Sequence, residues 1–299
     1  MAKYEFSYYP GCSSQSKASA DNYMKANQVV CQDLDIALKE IPDWNCCSAS
    51  IGYAGGGELP RLSLSARNLA LSQQAYGQQD IVTPCAACWL ATRETGERIA
   101  ENERVKAGIT AALGEIGLKI EGEAPKARHM VEVLIEDVGY EEIQSKVTKP
   151  LSGLKIAGYV GCQTNRPFGI DGESYENPKY LDKMVEALGG DAVENYEKKV
   201  SCCGGALMFS EPEKSQELVK NIIEAAYDGG ADMIVTPCPV CQMNVEVYQG
   251  HINKTFGTKF EIPVVYYSNL MAVAFGHNSK ESALDGQMIR AKKLEAIAG

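Results

Sequence analysis

Two stretches decide the fold: Asp80-Ile81-Val82-Thr83-Pro84-Cys85-Ala86-Ala87-Cys88 and Ile234-Val235-Thr236-Pro237-Cys238-Pro239-Val240-Cys241. Each opens with a short apolar run and ends in Thr-Pro-Cys-x-x-Cys. A short apolar run bounded by a turn signal reads as a buried strand. Threonine suits a helix N-cap and proline the first helical position. Thr83 and Thr236 are therefore expected to cap, with Pro84 and Pro237 opening the helices. The cysteines then lie at i and i+3, on one face of the first turn. Unpaired N–H groups and the helix dipole favour thiolates there, and the thiolate is the metal-binding form.

Working outward, everything around these stretches occurs twice. Cys12 precedes the vicinal pair Cys46-Cys47 by 33 residues, and 37 more lead to Cys85. Cys162 precedes Cys202-Cys203 by 39 residues, and 34 more lead to Cys238. The pattern C…CC…C-x-x-C thus repeats, and only Cys31 of the 11 cysteines falls outside it. The flanks answer one another too. Tyr8-Tyr9-Pro10-Gly11-Cys12 matches Gly158-Tyr159-Val160-Gly161-Cys162, and Asn45-Cys46-Cys47-Ser48 matches Ser201-Cys202-Cys203-Gly204. We read this as duplication of one metal-binding domain, with residues 1–150 as the first copy and 151–299 as the second. Residues 103–150 read as an insertion or connector with helical stretches. Lys149-Pro150-Leu151-Ser152-Gly153 marks the turn before a fresh strand. Residues 278–299 read as a polar tail, with a helix from about Ala283.

Composition is ordinary for a globular chain: 299 residues, 45% hydrophobic and 23% charged. The net charge of −10 argues against nucleic acid or an anionic membrane as partner. No apolar run is long enough to span a bilayer, and Met1-Ala2-Lys3-Tyr4-Glu5 lacks the apolar core of a signal peptide. The expectation is a soluble, cytoplasmic chain, in which many cysteines serve metal or redox chemistry rather than disulfides.

Tyr4–Tyr9 and 155–160 read as a further matched pair of strands. Leu218, Val219, Ile222, Ile223 and Ala226 follow helical spacing, as do Leu181, Met184, Val185 and Leu188. Strands alternating with helices predict an α/β fold with mostly parallel sheets. Ligands of such folds sit at the carboxyl ends of strands, where Cys12, Cys85, Cys162 and Cys238 fall. The vicinal pairs need a bend, because in an extended strand their sulfurs point apart. Gly204-Gly205 permits it in the second copy, whereas Ser48-Ala49 requires other means in the first.

Structural zinc and an ordinary iron–sulfur cubane each take four ligands, and each set here offers five. Either one thiol per site is spare or the cluster is not an ordinary cubane. A structural zinc with a leftover cysteine and metal-free dithiol exchange are the alternatives.

The two C…CC…C-x-x-C sets resemble the cysteine-rich CCG domain, and the tandem pair resembles the B subunit of heterodisulfide reductase. The resemblance runs from Tyr8 to about Gly276 and takes in His129-Met130-Val131-Glu132-Val133-Leu134, Arg166-Pro167 and Pro263-Val264-Val265-Tyr266-Tyr267. It implies two pseudo-symmetric domains whose sites face one cavity. It implies a noncubane 4Fe–4S cluster on Cys12, Cys46, Cys47, Cys85 and Cys88, and another on Cys162, Cys202, Cys203, Cys238 and Cys241. The reaction implied is reductive cleavage of a disulfide, one electron from each cluster, with an iron capturing each sulfur. Ser48 stands where the motif has glycine. The start of the chain looks more like bacterial branches, including complexes of sulfur oxidation, so the substrate is a disulfide or thiol of unspecified kind. No C-x-x-C-x-x-C-x-x-x-C-P segment occurs. Cubane clusters and flavin are therefore expected on partners, one ferredoxin-like and of the C type, the other flavin-bearing and of the A type.

Outside the ligands, Cys31 reads as buried packing. His129 reads as a helix cap or core residue, or as proton donor to a leaving thiolate. Arg166 is read as binding an acidic substrate group or making a structural ion pair. Trp44 and Trp89 shield a cluster or pack a core. Gly55-Gly56-Gly57 lacks the ending of a phosphate loop and reads as a flexible turn. Two rival functions stand beside the disulfide reading. One is an electron-relay subunit of a quinone-linked dehydrogenase complex without a disulfide site; the other is a zinc-stabilised subunit without redox function.

Overall fold

The computed structural model describes residues 2–49 and 57–299. The two opening stretches are strands, Ile81–Thr83 (β3) and Met233–Thr236 (β7), buried throughout. Each sits inside a four-stranded parallel sheet. The first runs β2 (Ile36–Glu40), β1 (Tyr4–Tyr8), β3, β4 (Ala127–His129). The second runs β6 (Asp191–Ala192), β5 (Lys155–Gly158), β7, β8 (Val264–Tyr266). The order is the same in both, so the fold is α/β and pseudo-symmetric. Register makes the equivalence specific: Thr83 pairs with His129, and Thr236 with Tyr266.

Helices connect the strands. In the first half these are α1 (Asp21–Asp33), α2 (Glu58–Tyr76), α3 (Ala86–Glu101) and α4 (Glu103–Gly114). A short helix α5 (Met130–Val133) follows β4 and runs through a π turn toward α6 (Tyr140–Ser145). The second half has α7 (Tyr180–Ala187), α8 (Leu207–Ser210), α9 (Pro212–Asp228), α10 (Pro239–Val247) and α11 (Gln249–Phe256). Then come α12 (Tyr267–Phe275) and α13 (Lys292–Ala298). The apolar stripe of α9 is the expected one: Val219, Ile222, Ile223 and Ala226 are buried.

Three expectations need correction. Residues 103–150 are not merely a connector, because β4 lies within them and completes the first sheet. The helices after β3 and β7 begin two residues later than expected, with Cys85 and Cys238 as N-caps. Proline holds its predecessor extended, so Thr83 and Thr236 stay in their strands, and their buried hydroxyls make no capping bond. The C-terminal helix starts at Lys292 rather than near Ala283, whose left-handed φ of 53° interrupts helical geometry. Nor is that tail only polar, since Leu284, Leu294 and Ala298 are buried. Of Gly55-Gly56-Gly57, the first two lie outside the described residues, and Gly57 precedes α2.

The halves share one apolar core. Every residue of α12 is buried, and the helix packs against α1 from the other half. A helix buried on every face belongs in an interior, and the one side-chain amide on it, Asn269, is hydrogen-bonded to Tyr266 N–H and Ser282 O. Val30, Leu34, Met130 and Leu134 join Leu151, Leu270, Met271 and Leu294 in one continuous cluster. Cys31 lies in it too, its thiol pushed up to about 12 by burial. Truncating Leu270 to alanine is expected to cost about 2–5 kcal/mol. Because the core is shared, denaturant titration of Leu270→Ala should show one transition at lower denaturant; two separate transitions would mean that the halves fold independently.

Candidate metal centres

The site in each half is built at the carboxyl ends of three strands. Cys12 follows β1, Cys46 and Cys47 follow β2, and Cys85 and Cys88 follow β3. The thiols touch in series. Cys46 Sγ lies 3.7 Å from Cys12 Sγ, and Cys47 Sγ lies 3.4 Å from Cys88 Sγ. Cys46 also interacts with Cys47, and Cys85 with Cys88. The second set repeats the series as Cys162, Cys202, Cys203, Cys241, Cys238.

Two devices bring the vicinal sulfurs together. Ser48 takes a left-handed φ of 60° in the place of Gly204, at 80°. This is how the first copy bends without glycine. The bend turns the next amides back on the sulfurs: Ser48 N–H donates to Cys46 Sγ at 3.4 Å, and Gly204 N–H to Cys202 Sγ at 3.4 Å. The residue before each pair is held by a buried tyrosine. Tyr9 Oη donates to Asn45 O at 2.9 Å, and Tyr159 Oη to Ser201 O at 2.7 Å. Close approach at Cys12 and Cys162 depends on glycine. A Cβ on Gly11 would sit 2.7 Å from Cys88 Sγ, and one on Gly161 would sit 3.1 Å from Cys241 Sγ. The tyrosines and glycines were visible in the matched flanks, but their roles appear only in three dimensions.

The electrostatics are also duplicated. Cys46 is pulled down to about 2, chiefly by the Cys12 thiol, with help from Cys47 and the Ser48 amide. Cys202 falls to about 2, chiefly through Cys162. Their neighbours move the other way. Cys12 and Cys162 rise, and Cys47 and Cys203 reach about 12, each led by the adjoining cysteine. The thiolate that forms at Cys46 or Cys202 opposes its neighbours, while in the first series Cys85 is also drawn below its usual value, chiefly by the Cys88 thiol. Five thiolates together need a compensating positive centre, such as a thiolate-bound metal ion or cluster. Among the described residues no group of His, Cys, Asp or Glu is drawn together as a single-ion site. An open series of five soft donors fits a cluster of several irons better than one closed tetrahedral ion.

The sites abut. Tyr23 Oη reaches both Pro84 O, at 3.0 Å, and Pro237 O, at 3.2 Å. A cavity of about 350 Å³ is lined by Cys162, Cys202, Cys203, Cys238 and Cys241 from the second half, and by Ala49, Ala86 and Ala87 from the first. A larger groove of about 820 Å³ beside Asp191 and Glu194 contains no cysteine.

His129 and Arg166 are not among the residues lining the cysteine cavity. His129 caps α5: its Nδ1 accepts from Val131 N–H at 3.1 Å, and Glu132 returns the contact to His129 N–H. Burial lowers its pKa to about 3. Arg166 is exposed and donates to Val200 O at 2.9 Å. Trp44 donates to Glu40 and meets Tyr9 edge-on, while Trp89 is buried edge-on to His129 and Phe168.

Two outcomes are expected. Ser48→Gly removes a left-handed side chain worth about 1–2 kcal/mol of strain, partly offset by unfolded-state entropy. Thermal melts should show equal or higher stability with the amide contact kept, whereas Ser48→Val should melt lower. His129 is neutral when folded, so its contribution is complete above about 6.5 and is lost as pH falls toward 3. His129→Asn keeps a capping acceptor and should remove up to about 1.4 kcal/mol per pH unit of that slope in denaturant titrations.

Comparison with known proteins matches the duplication. The pattern of the Cysteine-rich domain (CCG) family matches residues 6–92 and 156–246. The chain is 35% identical over 97% of its length, and 99% of the relative's, to the 8-methylmenaquinol:fumarate reductase membrane anchor subunit of Wolinella succinogenes. It is 31% identical over 92% of its length, and 93% of the relative's, to the B subunit of the ferredoxin/F(420)H(2)-dependent CoB-CoM heterodisulfide reductase of Methanosarcina acetivorans. A hypothetical protein of known structure from Helicobacter pylori shares the fold. The TM-score is 0.75 at 14% identity, over 96% of this chain and 52% of that one. The chain is therefore a tandem member of the cysteine-rich CCG family, of the type found as the B subunit of heterodisulfide reductase.

Proposed function

We propose that the chain is the cluster-bearing catalytic subunit of a disulfide or thiol oxidoreductase complex. Cys12, Cys46, Cys47, Cys85 and Cys88 would hold one noncubane 4Fe–4S cluster, and Cys162, Cys202, Cys203, Cys238 and Cys241 the other. The observation that carries this reading is the duplicated five-thiol series with its two C-x-x-C turns abutting at Tyr23. When bound, each cluster supplies one electron and an iron that accepts a sulfur ligand. Cleaving or forming a disulfide moves two electrons, which gives the pairing a chemical reason.

The chain's own residues bind, orient and exclude. Gly11 and Gly161 let the cysteine series close, and the Ser48 and Gly204 amides hold negative charge. Tyr9 and Tyr159 fix the vicinal pairs. Ala49, Ala86, Val160 and Val240 give the cavity beside the second cysteine set an apolar lining, which would limit water around a bound disulfide. His129 acts through its cap, and Arg166 stays at the surface. Electrons would come from ferredoxin-like and flavin-bearing partners. Among the described residues no helix is long and apolar enough to cross a membrane, and we place the chain in the cytoplasm.

A second reading, a relay component of a quinone-linked reductase, is favoured by the match to the Wolinella succinogenes protein over 99% of its length. Anaerobic preparations should contain about eight irons per chain, two clusters of four. Cys88→Ser should halve that number and Cys31→Ala leave it unchanged. A small disulfide added to the reduced protein should oxidise both clusters. Oxidation by a quinone with its partner but not by disulfides would establish the relay, and zinc in place of iron would sink both readings.

A further inference from the structure

Tyr23 is fully buried on α1, and no ligand pattern pointed to it. Its hydroxyl meets Pro84 O and Pro237 O, the carbonyls immediately before Cys85 and Cys238. A buried carbonyl needs a donor, and here two carbonyls from different halves share one. The first half alone supplies it, since Tyr180 at the start of α7 sends its hydroxyl to Thr164 instead. The Tyr23 ring is fixed from the other half. It stacks on Tyr266 at 4.0 Å and 9° and meets Tyr267 edge-on. Tyr266 ends β8 as His129 ends β4, so Tyr23 is held at the point where the two repeats meet. His129 Nδ1 is an acceptor, which leaves its proton on Nε2. That atom is buried with no aligned partner of its own, on the side of the same two carbonyls.

We propose that Tyr23 is a positioning residue that couples the two cysteine sites, holding both C-x-x-C turns with one hydroxyl and setting the polarity beside both. The proposal rests on the reading of the two sets as cluster sites. Without the O–H, two carbonyl oxygens face each other with only the His129 Nε2–H, which is aligned to neither, beside them. Negative potential then rises beside Cys85 and Cys238 together, and both turns lose the same anchor.

The test is Tyr23→Phe in the full chain purified without oxygen. Iron content should stay at the wild-type value. The midpoint potentials of both clusters should become more negative, and the magnetic interaction between them should weaken. In the metal-free chain, amide exchange in the first turns of α3 and α10 should speed up about tenfold in both halves, the loss of one net hydrogen bond. Tyr140→Phe is the control, because Tyr140 Oη donates to Tyr180 O across the halves at 3.1 Å without touching the cysteine turns. It should lower stability and leave the potentials alone. Should Tyr23→Phe fold poorly, 3,5-difluorotyrosine placed at position 23, a stronger donor of nearly the same shape, should shift both potentials the opposite way. Unchanged potentials, a shift at one cluster only, or equal effects of Tyr23→Phe and Tyr140→Phe would overturn the proposal. Fewer than two clusters in the wild type would instead count against the cluster reading, while amide exchange would still decide the role of Tyr23.

Discussion

Five thiolates repel one another, and most of the local structure around each cysteine set is arranged against that repulsion. A thiolate at Cys46 or Cys202 is stabilised by neighbouring S–H groups and by a turned-back amide. Each further deprotonation costs more. The chain therefore gathers the donors to within contact distance and leaves charge compensation to what binds there. Gly11, Gly161, Ser48 and Gly204 are places where the backbone accepts unusual conformations for that purpose. The strands β1, β2 and β3 supply the rigidity, and their carboxyl ends the convergence.

The second constraint is the joining of two such sites. A sheet covered by helices on its own could have carried each set. Instead α1 and α12 pack into a common interior, and the turns after β3 and β7 touch through a tyrosine. Relative position is thereby fixed by apolar burial over a wide area and refined by polar contacts at the centre. Preorganisation of this kind is what the proposed two-electron chemistry through one-electron centres would require.

Much of this was legible in the sequence, and the limits have physical causes. β3 and β7 were legible because short apolar runs rich in β-branched residues occur before a Pro-Cys turn. β6, with two residues, carries no period to read, and β4 was hidden inside a segment that looked helical. The thiol sets could be paired from spacing and context alone. The thiol order within each site could not, because it depends on where the bends at Ser48 and Gly204 send each sulfur. Thr83 looked like a cap because its residue type suits one; the proline after it held it in the strand instead. Tyr23 gave no signal, since its partners are backbone atoms 61 and 214 residues away.

The shared hydroxyl at Pro84 and Pro237 also separates this chain from a symmetric dimer of the same domain. In a twofold dimer every side chain is present twice, and two identical tyrosines would compete for one place on the axis. Fusing the copies into a single polypeptide lifts that rule, so each half is free to differ at the centre. One half then contributes an oxygen and the other the aromatic wall that holds it. Covalent linkage thus gives the molecule more than a fixed stoichiometry: it allows an asymmetric element at the one point where symmetry would forbid it.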